Sequence, residues 1–423
     1  MLLLMLAGGL WQTASSQTTP LKPRPDAFPP KQEISDACKA VTMAYSVEEM
    51  ASWNRYPTYQ TYLDMMRRWA ADYPDLCTVD TIGTSVQDRL ILAVRITGPT
   101  DSVDTSPYGK TRRPEFFYSS TIHGDEVTGY VMMLRLIDTL LASYGTSQRL
   151  TELVNSTAIY INPLANPDGT YHHGDSTVRR ASRYNANGVD LNRNYPDPFG
   201  SVKAALETEN EAMIDYLSNH SFLLSANLHG GAEVMNYPWD SFTSFQNPHP
   251  QRDWWQEVCR RFVDTSRIYG PDHFSDVVSS GYVNGGDWYV IRGGRQDYVN
   301  YYHNCLELTM EISSVKTISS DLLPEYWYFL APSFINYIDE IHNLPESVGI
   351  SELRTPNSEL TVYPNPATDR IVVENLPEGT PLTLYDAYGR VVATGVGTLD
   401  VSNLPKGIYL LSAHGFGAKV VKN

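Results

Sequence analysis

The run Phe116-Phe-Tyr-Ser-Ser-Thr-Ile-His123-Gly-Asp-Glu126 joins a short apolar stretch to a helical pattern that continues to Tyr144. A short apolar run followed by a long 3.6-residue period reads as strand and then amphipathic helix, and repetition of that order builds an α/β layer structure. At the joint stand an imidazole, His123, and a carboxylate, Glu126, three residues apart in sequence. Ligands of open α/β sheets bind beyond the carboxyl ends of the strands. A His-x-x-Glu step at that point is a metal-binding geometry, although an acidic first turn stabilised by the helix dipole produces the same spacing.

Further apolar runs at residues 90–96, 158–164, 223–228 and 306–312 read as buried strands, and 59–71 reads as a helix. The alternation predicts an α/β fold with a mixed, largely parallel central sheet flanked by helices. After residue 343 the composition changes. Residues 345–359 carry Ser, Gly, Thr, Asn and Pro and read as a linker, while residues 360–423 hold short alternating strands between Gly and Pro turns, the pattern of a small all-β sandwich. Residues 1–16 form an apolar run followed by small residues, as in the later part of a secretory signal peptide, but without its basic start. Pro20, Pro23, Pro25, Pro29 and Pro30 make residues 17–45 an extended N-terminal arm or propeptide, with order expected to begin near Trp53. The main globular domain is then residues 46–344.

The chain has 423 residues, 42% of them hydrophobic and 19% charged, which suits a substantial buried core and not a disordered chain. Its formal net charge of −16 repels phosphate backbones and argues against nucleic acid as a partner. The N-terminal apolar run is too short to span a bilayer as a helix, and no other segment reads as transmembrane. Cys38, Cys77, Cys259 and Cys305 lack the paired spacing of a zinc thiolate site and read as disulfides or isolated core thiols.

The run at 223–228 ends in His229, which adds a second imidazole to His123 and Glu126. Three protein donors with one open coordination position are what a hydrolytic zinc requires. Asp125 adjoins these donors but points elsewhere along the chain and reads as a residue that supports the ligands from behind or as a helix-start residue. The stretch Arg183-Tyr-Asn-Ala-Asn-Gly-Val-Asp-Leu-Asn192-Arg193-Asn194 concentrates side-chain amides and guanidinium groups in a turn-rich segment that needs a ligand or water. The bland reading of Arg180 and Arg183 is solvated loop charge. In 306–312 the strand period places Glu307, Thr309 and Glu311 on one face, so either glutamate is a candidate general base.

Between about residues 56 and 315 these motifs resemble the zinc metallocarboxypeptidases, in the branch of carboxypeptidases N, E, D and M. The resemblance rests on His123-Gly-Asp-Glu126, Asn162-Pro-Leu-Ala-Asn-Pro-Asp-Gly169, the 183–197 stretch, Leu228-His-Gly-Gly, Asn236-Tyr-Pro-Trp-Asp240, Asn284-Gly-Gly-Asp-Trp-Tyr289, Gln296-Asp-Tyr and Cys305-Leu-Glu-Leu-Thr-Met-Glu311. It implies one Zn2+ on His123, Glu126 and His229, with Glu311 rather than Glu307 as the base. It further implies Arg183 as oxyanion stabiliser, Asn192 and Arg193 as the grip on a substrate's terminal carboxylate, and Tyr289 as a mobile residue closing over the C-terminal residue. Asp240 falls where the basic-specific branch has an acid in its side-chain pocket, and Gln296 matches its polar companion. Read blandly, Asp240 is a turn residue.

Two departures stand out. Arg295 replaces a methionine usual before Gln296, which predicts an added positive charge near the pocket, and the chain lacks room for the transthyretin-like domain that follows in this branch. The tail, through Val362-Tyr-Pro-Asn-Pro366, Tyr385-Asp-Ala-Tyr-Gly-Arg390 and Leu404-Pro-Lys-Gly-Ile-Tyr409, resembles the C-terminal sorting domain of the type IX secretion system. The expectation is therefore a monomeric, secreted or cell-surface zinc carboxypeptidase that acts on peptide or protein C-termini, prefers Arg or Lys, and meets secretion machinery through its tail. A related amidase acting on peptidoglycan stem peptides and a catalytically silent binding protein are the alternatives.

Overall fold

The computed structural model describes residues 41–99, 113–200, 205–345, 361–374, 380–386, 390–413 and 416–423. The expected signal peptide, most of the arm, the linker and Cys38 lie outside these residues.

In chain order the elements are β1 Met43–Ala44, β2 Tyr56–Pro57, α1 Tyr59–Asp72, β3 Cys77–Thr84, β4 Leu90–Ile96, β5 Glu115–Ser120, α2 Thr128–Ser143, α3 Gln148–Ser156 and β6 Ala158–Asn162. There follow α4 Pro167–Thr170, α5 Thr208–Ser218, β7 Phe222–His229, β8 Ala232–Tyr237, α6 Arg252–Tyr269, β9 Tyr282–Asn284, α7 Gly285–Trp288, α8 Arg295–Tyr302, β10 Leu306–Ser313 and α9 Leu323–Asp339. Eight strands form one sheet in the order β3-β4-β6-β5-β7-β10-β8-β9. Its centre, β6-β5-β7-β10, is parallel, whereas β3, β4 and β8 join antiparallel to their inner neighbours. The α/β architecture with a mixed, largely parallel sheet is thus present.

The central strands are buried along their whole length because helices cover both faces. Leu224, Leu308, Met310 and Ile312 are fully buried in the larger core, and truncating any of them to Ala costs about 2–5 kcal/mol. That core also takes in α2, which differs from the expected amphipathic helix in two ways. It begins at Thr128, so Glu126 lies in the turn before it, and Tyr130 to Leu134 are buried in succession because neighbouring elements cover the helix nearly all round. The packed chain also begins earlier than expected: Met43 and Ala44, assigned to the arm, are buried and pair in parallel with Tyr56 and Pro57. Cys77, Cys259 and Cys305 are buried free thiols, so the disulfide alternative does not hold for these three.

The tail comprises β11 Thr361–Tyr363, β12 Arg370–Glu374, β13 Pro381–Tyr385, β14 Val391–Val396, β15 Thr398–Asp400, β16 Gly407–Ala413 and β17 Phe416–Lys422. These strands pair antiparallel in the order β11-β12-β15-β14-β13-β16-β17. Ile371, Leu382, Leu384, Leu399, Leu411 and Val420 alternate inward to one separate apolar core. No helix among the described residues is long and apolar enough to cross a membrane.

Candidate active site

At the end of β5 the chain turns sharply. Thr121 adopts φ +66°, a costly conformation for a β-branched residue, held by its hydroxyl donating to the Pro163 carbonyl at 3.0 Å and by Asn166 N–H donating to its own carbonyl at 3.1 Å. Gly124 lies so close to the 162–169 motif that a Cβ there would stand 2.3 Å from the Gly169 carbonyl carbon. These contacts aim His123 and Glu126 at the end of β7, where His229 is the last residue.

Glu126 bridges the two imidazoles, with Oε1 3.0 Å from His123 Nδ1 and Oε2 2.8 Å from His229 Nδ1. The two Nδ1 atoms are themselves 3.0 Å apart. The outer nitrogens are occupied: His123 Nε2 lies 3.1 Å from Asp190 Oδ1, and His229 Nε2 lies 2.6 Å from Asn227 Oδ1. Each acceptor holds the proton on Nε2, which leaves the Nδ1 lone pair facing the hollow, as a ligating histidine requires. The two Nδ1 atoms and a carboxylate oxygen all lie within 4.8 Å of one another, with Arg183 Nη1 3.2 Å from His123 Nδ1 at their edge, and this donor set fits a small divalent cation. Burial opposes the charge of Glu126, yet the two imidazoles hold it well below the usual carboxylate range. Burial lowers His229. It also pulls His123 down, but Glu126 and Asp190 outweigh it and lift that histidine, an attraction that would equally favour a cation in place of the proton.

Arg183 sits beside this group. Its Nη1 is 3.4 Å from Glu126 Oε1, and its Nε donates to Asp190 Oδ2 at 3.0 Å, so Asp190 orients both the guanidinium and His123. Asn192 and Arg193 lie on a 3-10 turn, Leu191–Arg193, capped by Asp190, and Arg193 Nη1 donates to the Asn192 carbonyl at 2.7 Å. Tyr289, just after α7, is 48% exposed at the mouth and packs edge-on against Trp288, with ring centroids 4.7 Å apart. Glu311 is buried, and its Oε2 has no hydrogen-bond partner. Burial first, and then the Glu126 carboxylate, raise its proton affinity well above that of an ordinary carboxylate.

Asp240 is buried and accepts a hydrogen bond from Gln296 Nε2 at 2.9 Å. Gly285 is required opposite it, since a Cβ there would meet Asp240 Oδ1 at 1.9 Å. Burial and the neighbouring Asp297 raise Asp240 well above the usual carboxylate range. His123, Glu126, Arg183, Asn192, Arg193, His229, Asp240, Tyr289 and Glu311 all line one cleft with about 380 Å³ of empty space, and Gln296 stands behind Asp240.

Residues 62–343, more than half of the chain, match the zinc carboxypeptidase family. The chain belongs to the zinc carboxypeptidase family. Residues 361–423 match the secretion system C-terminal sorting domain, which indicates export to the surface or medium. This zinc carboxypeptidase is 33% identical over 288 residues to carboxypeptidase D of Anas platyrhynchos, covering 66% of this chain and 20% of that one. It is 32% identical over 303 residues to carboxypeptidase M of Mus musculus, covering 68% and 66%. The matched region therefore spans about a fifth of carboxypeptidase D. In fold, the chain resembles a thrombin-activatable fibrinolysis inhibitor structure (TM-score 0.58, 16% identity, covering 69% and 76%) and carboxypeptidase A from Helicoverpa armigera (TM-score 0.57, 19% identity, covering 71% and 76%). The family's ion is zinc, and His123, Glu126 and His229 are the group in this chain that fits it.

Three placements in this zinc carboxypeptidase depart from the sequence reading or were missed by it. Arg295 adds no charge to the pocket: its side chain is fully buried away from the cleft, pairs with Glu307 at 3.0 Å and lies over the Phe117 ring. Glu307, the rival base, is committed to that pair. Asp125 stays off the metal group and pairs with Lys316 at 2.8 Å. Asp190 and Asn227, the partners of the two histidines, were not singled out. Asn227 was findable, because it precedes His229 by one strand period on the same face. Asp190 sits within the polar 183–197 stretch but shows nothing in sequence to pair it with His123.

Proposed function

We propose that the protein is an exported, monomeric carboxypeptidase that removes C-terminal Arg or Lys from peptides. The observation that carries this reading is Asp240, a buried acid in the cleft whose hydrogen-bond partner is the neutral Gln296. A buried carboxylate without a fixed counter-charge favours a cationic side chain and penalises an apolar one.

Arg193, with Asn192 beside it, would grip the substrate's terminal carboxylate, for which a planar, permanently charged fork is suited. That grip places the last peptide bond next to His123, Glu126 and His229. His123, Glu126 and His229 would hold the zinc, which would supply a Lewis acid for the scissile carbonyl and for the attacking water. Glu311, with its free oxygen and raised proton affinity, takes a proton from the attacking water and hands it to the leaving amine. Arg183 stabilises the negative charge that develops on the carbonyl oxygen. Tyr289 closes over the C-terminal residue and limits water access. The tail would engage secretion machinery and takes no part in the chemistry.

A panel of peptides ending in Arg, Lys, Phe or a diaminopimelate amide tests the reading. Turnover should be highest for Arg and Lys, whereas equal or better turnover of Phe or of the amide would overturn it.

A further inference from the structure

The face of β7 and β10 that carries His229 and Glu311 continues into the interior as two polar columns. Register sets Ser225 beside Glu307, Asn227 beside Thr309 and His229 beside Glu311. Aligned residues of parallel strands project to the same side, so all six belong to one surface. At its buried end the Arg295 and Glu307 side chains, both fully enclosed, pair through Nη2 and Oε2 at 3.0 Å. Ser225 Oγ donates to Glu307 Oε2 at 2.8 Å, and Asn227 Nδ2 donates to Oε1 at 3.1 Å. The other end of the Asn227 amide reaches His229 Nε2 at 2.6 Å. An unbroken chain of contacts thus runs from Arg295 through Glu307 and Asn227 to His229.

Buried ion pairs are poor stabilisers, because desolvation offsets most of their attraction. This one also leaves Arg295 Nε and Nη1 without partners. Its chemistry suits another role. An ionised carboxylate only accepts hydrogen bonds, so Asn227 must turn its NH2 toward Glu307 and its carbonyl toward His229. Facing a carbonyl, His229 Nε2 must carry the proton, and the Nδ1 lone pair is left for the metal. With a neutral group in place of Glu307 that end of the amide also faces the Thr309 hydroxyl, 3.3 Å from Nδ2, which donates as readily as it accepts, so the amide can flip and His229 can then hold its proton on Nδ1, where it blocks the ion. Arg295, whose backbone N–H also donates to Asn192 Oδ1 at 2.9 Å, sets a permanently charged guanidinium against Glu307 in the interior.

We propose that the buried Arg295–Glu307 pair is a positioning device for the metal centre, setting the Asn227 amide and through it the tautomer of His229. The inference rests on the zinc-site reading given above. It is tested in the full chain by measuring zinc affinity in competition with a chelator for Glu307→Gln and for the double variant Arg295→Met/Glu307→Gln, each with Asn227 intact and with Asn227→Ala. With Asn227 present, both should weaken zinc binding by about 10-fold to 100-fold. With Asn227→Ala the link is already cut, and the further substitutions should add little. The double variant removes both charges, so an unpaired buried arginine does not confound the result. Nitrogen NMR of the metal-free protein should show His229 protonated on Nε2 and a mixture of tautomers once Glu307 is neutral. Unchanged zinc affinity, or an equal loss in both backgrounds, would overturn the proposal, since a merely structural pair predicts one or the other. An unaltered chain that holds no zinc at this site would instead sink the underlying reading, and the inference with it.

Discussion

Glu311 lies directly beside His229 across the parallel β7–β10 pair, so the two side chains leave the sheet on the same side. Strand register, not proximity in sequence, sets the candidate base next to a metal ligand. Glu311 Oε2 is free of partners, whereas both oxygens of Glu307 are engaged.

Replacing that base is the first test. Glu311→Gln keeps the shape and removes the proton acceptor, and should lower kcat by about 10²-fold to 10⁴-fold, the usual contribution of a general base. Metal analysis of the variant should still show zinc. Activity near that of the unaltered protein would remove Glu311 from the mechanism.

Asp240→Ala addresses specificity. Losing one member of a buried charge pair costs about 2–5 kcal/mol, so kcat/KM for peptides ending in Arg or Lys should fall by roughly 30-fold or more, while peptides ending in small apolar residues change little. A parallel loss for every substrate would mean that Asp240 supports the cleft and does not select the side chain.

The same acid predicts a pH dependence. Burial and Asp297 raise Asp240, and Asp297 is itself raised by burial to about 6. Only ionised Asp240 attracts a cation, so preference for Arg over neutral residues is present above its raised pKa and lost as pH falls through it. That loss should come at higher pH than an ordinary carboxylate allows. A ratio of the two kcat/KM values that stays flat from about pH 8 to about pH 5 would contradict this assignment.

Arg193→Lys tests the exopeptidase grip. A compact ammonium does not reproduce a planar fork, so KM for peptides with a free terminal carboxylate should rise by about 10-fold or more. Peptides amidated at the C-terminus should be poor substrates of both proteins.

Removing zinc with a chelator should lower the melting temperature by several degrees, because a ligand present at 1,000 times its Kd stabilises the folded state by about 4 kcal/mol. Added zinc should restore it, and a melting temperature indifferent to the metal would count against a site built on His123, Glu126 and His229.

Much of this was legible beforehand because it is local. Strands at 90–96, 116–120 and 306–312 show as apolar runs, and the two histidines end or follow such runs, where α/β sheets place ligands. The period of two separated Glu307, Thr309 and Glu311 from Leu308, Met310 and Ile312. The helical pattern in sequence runs from Glu126 to Tyr144, but α2 starts at Thr128, because the turn that frees Glu126 depends on packing against residues 162–169, which a helical period does not record. The direction of Arg295 is hidden in sequence for a similar reason: its counter-charge, Glu307, lies on a different element.

The amino-acid order alone thus determined which residue types stand at the strand ends, the donor set for a zinc ion and the family to which the chain belongs. Only the tertiary structure decided which nitrogen of each histidine faces the hollow, which of two glutamates is free, and that Arg295 turns inward, away from the substrate. The reason is that orientation and charge state follow from partners brought together by sheet order and register, as Asp190 is to His123 and Glu307 is, through Asn227, to His229.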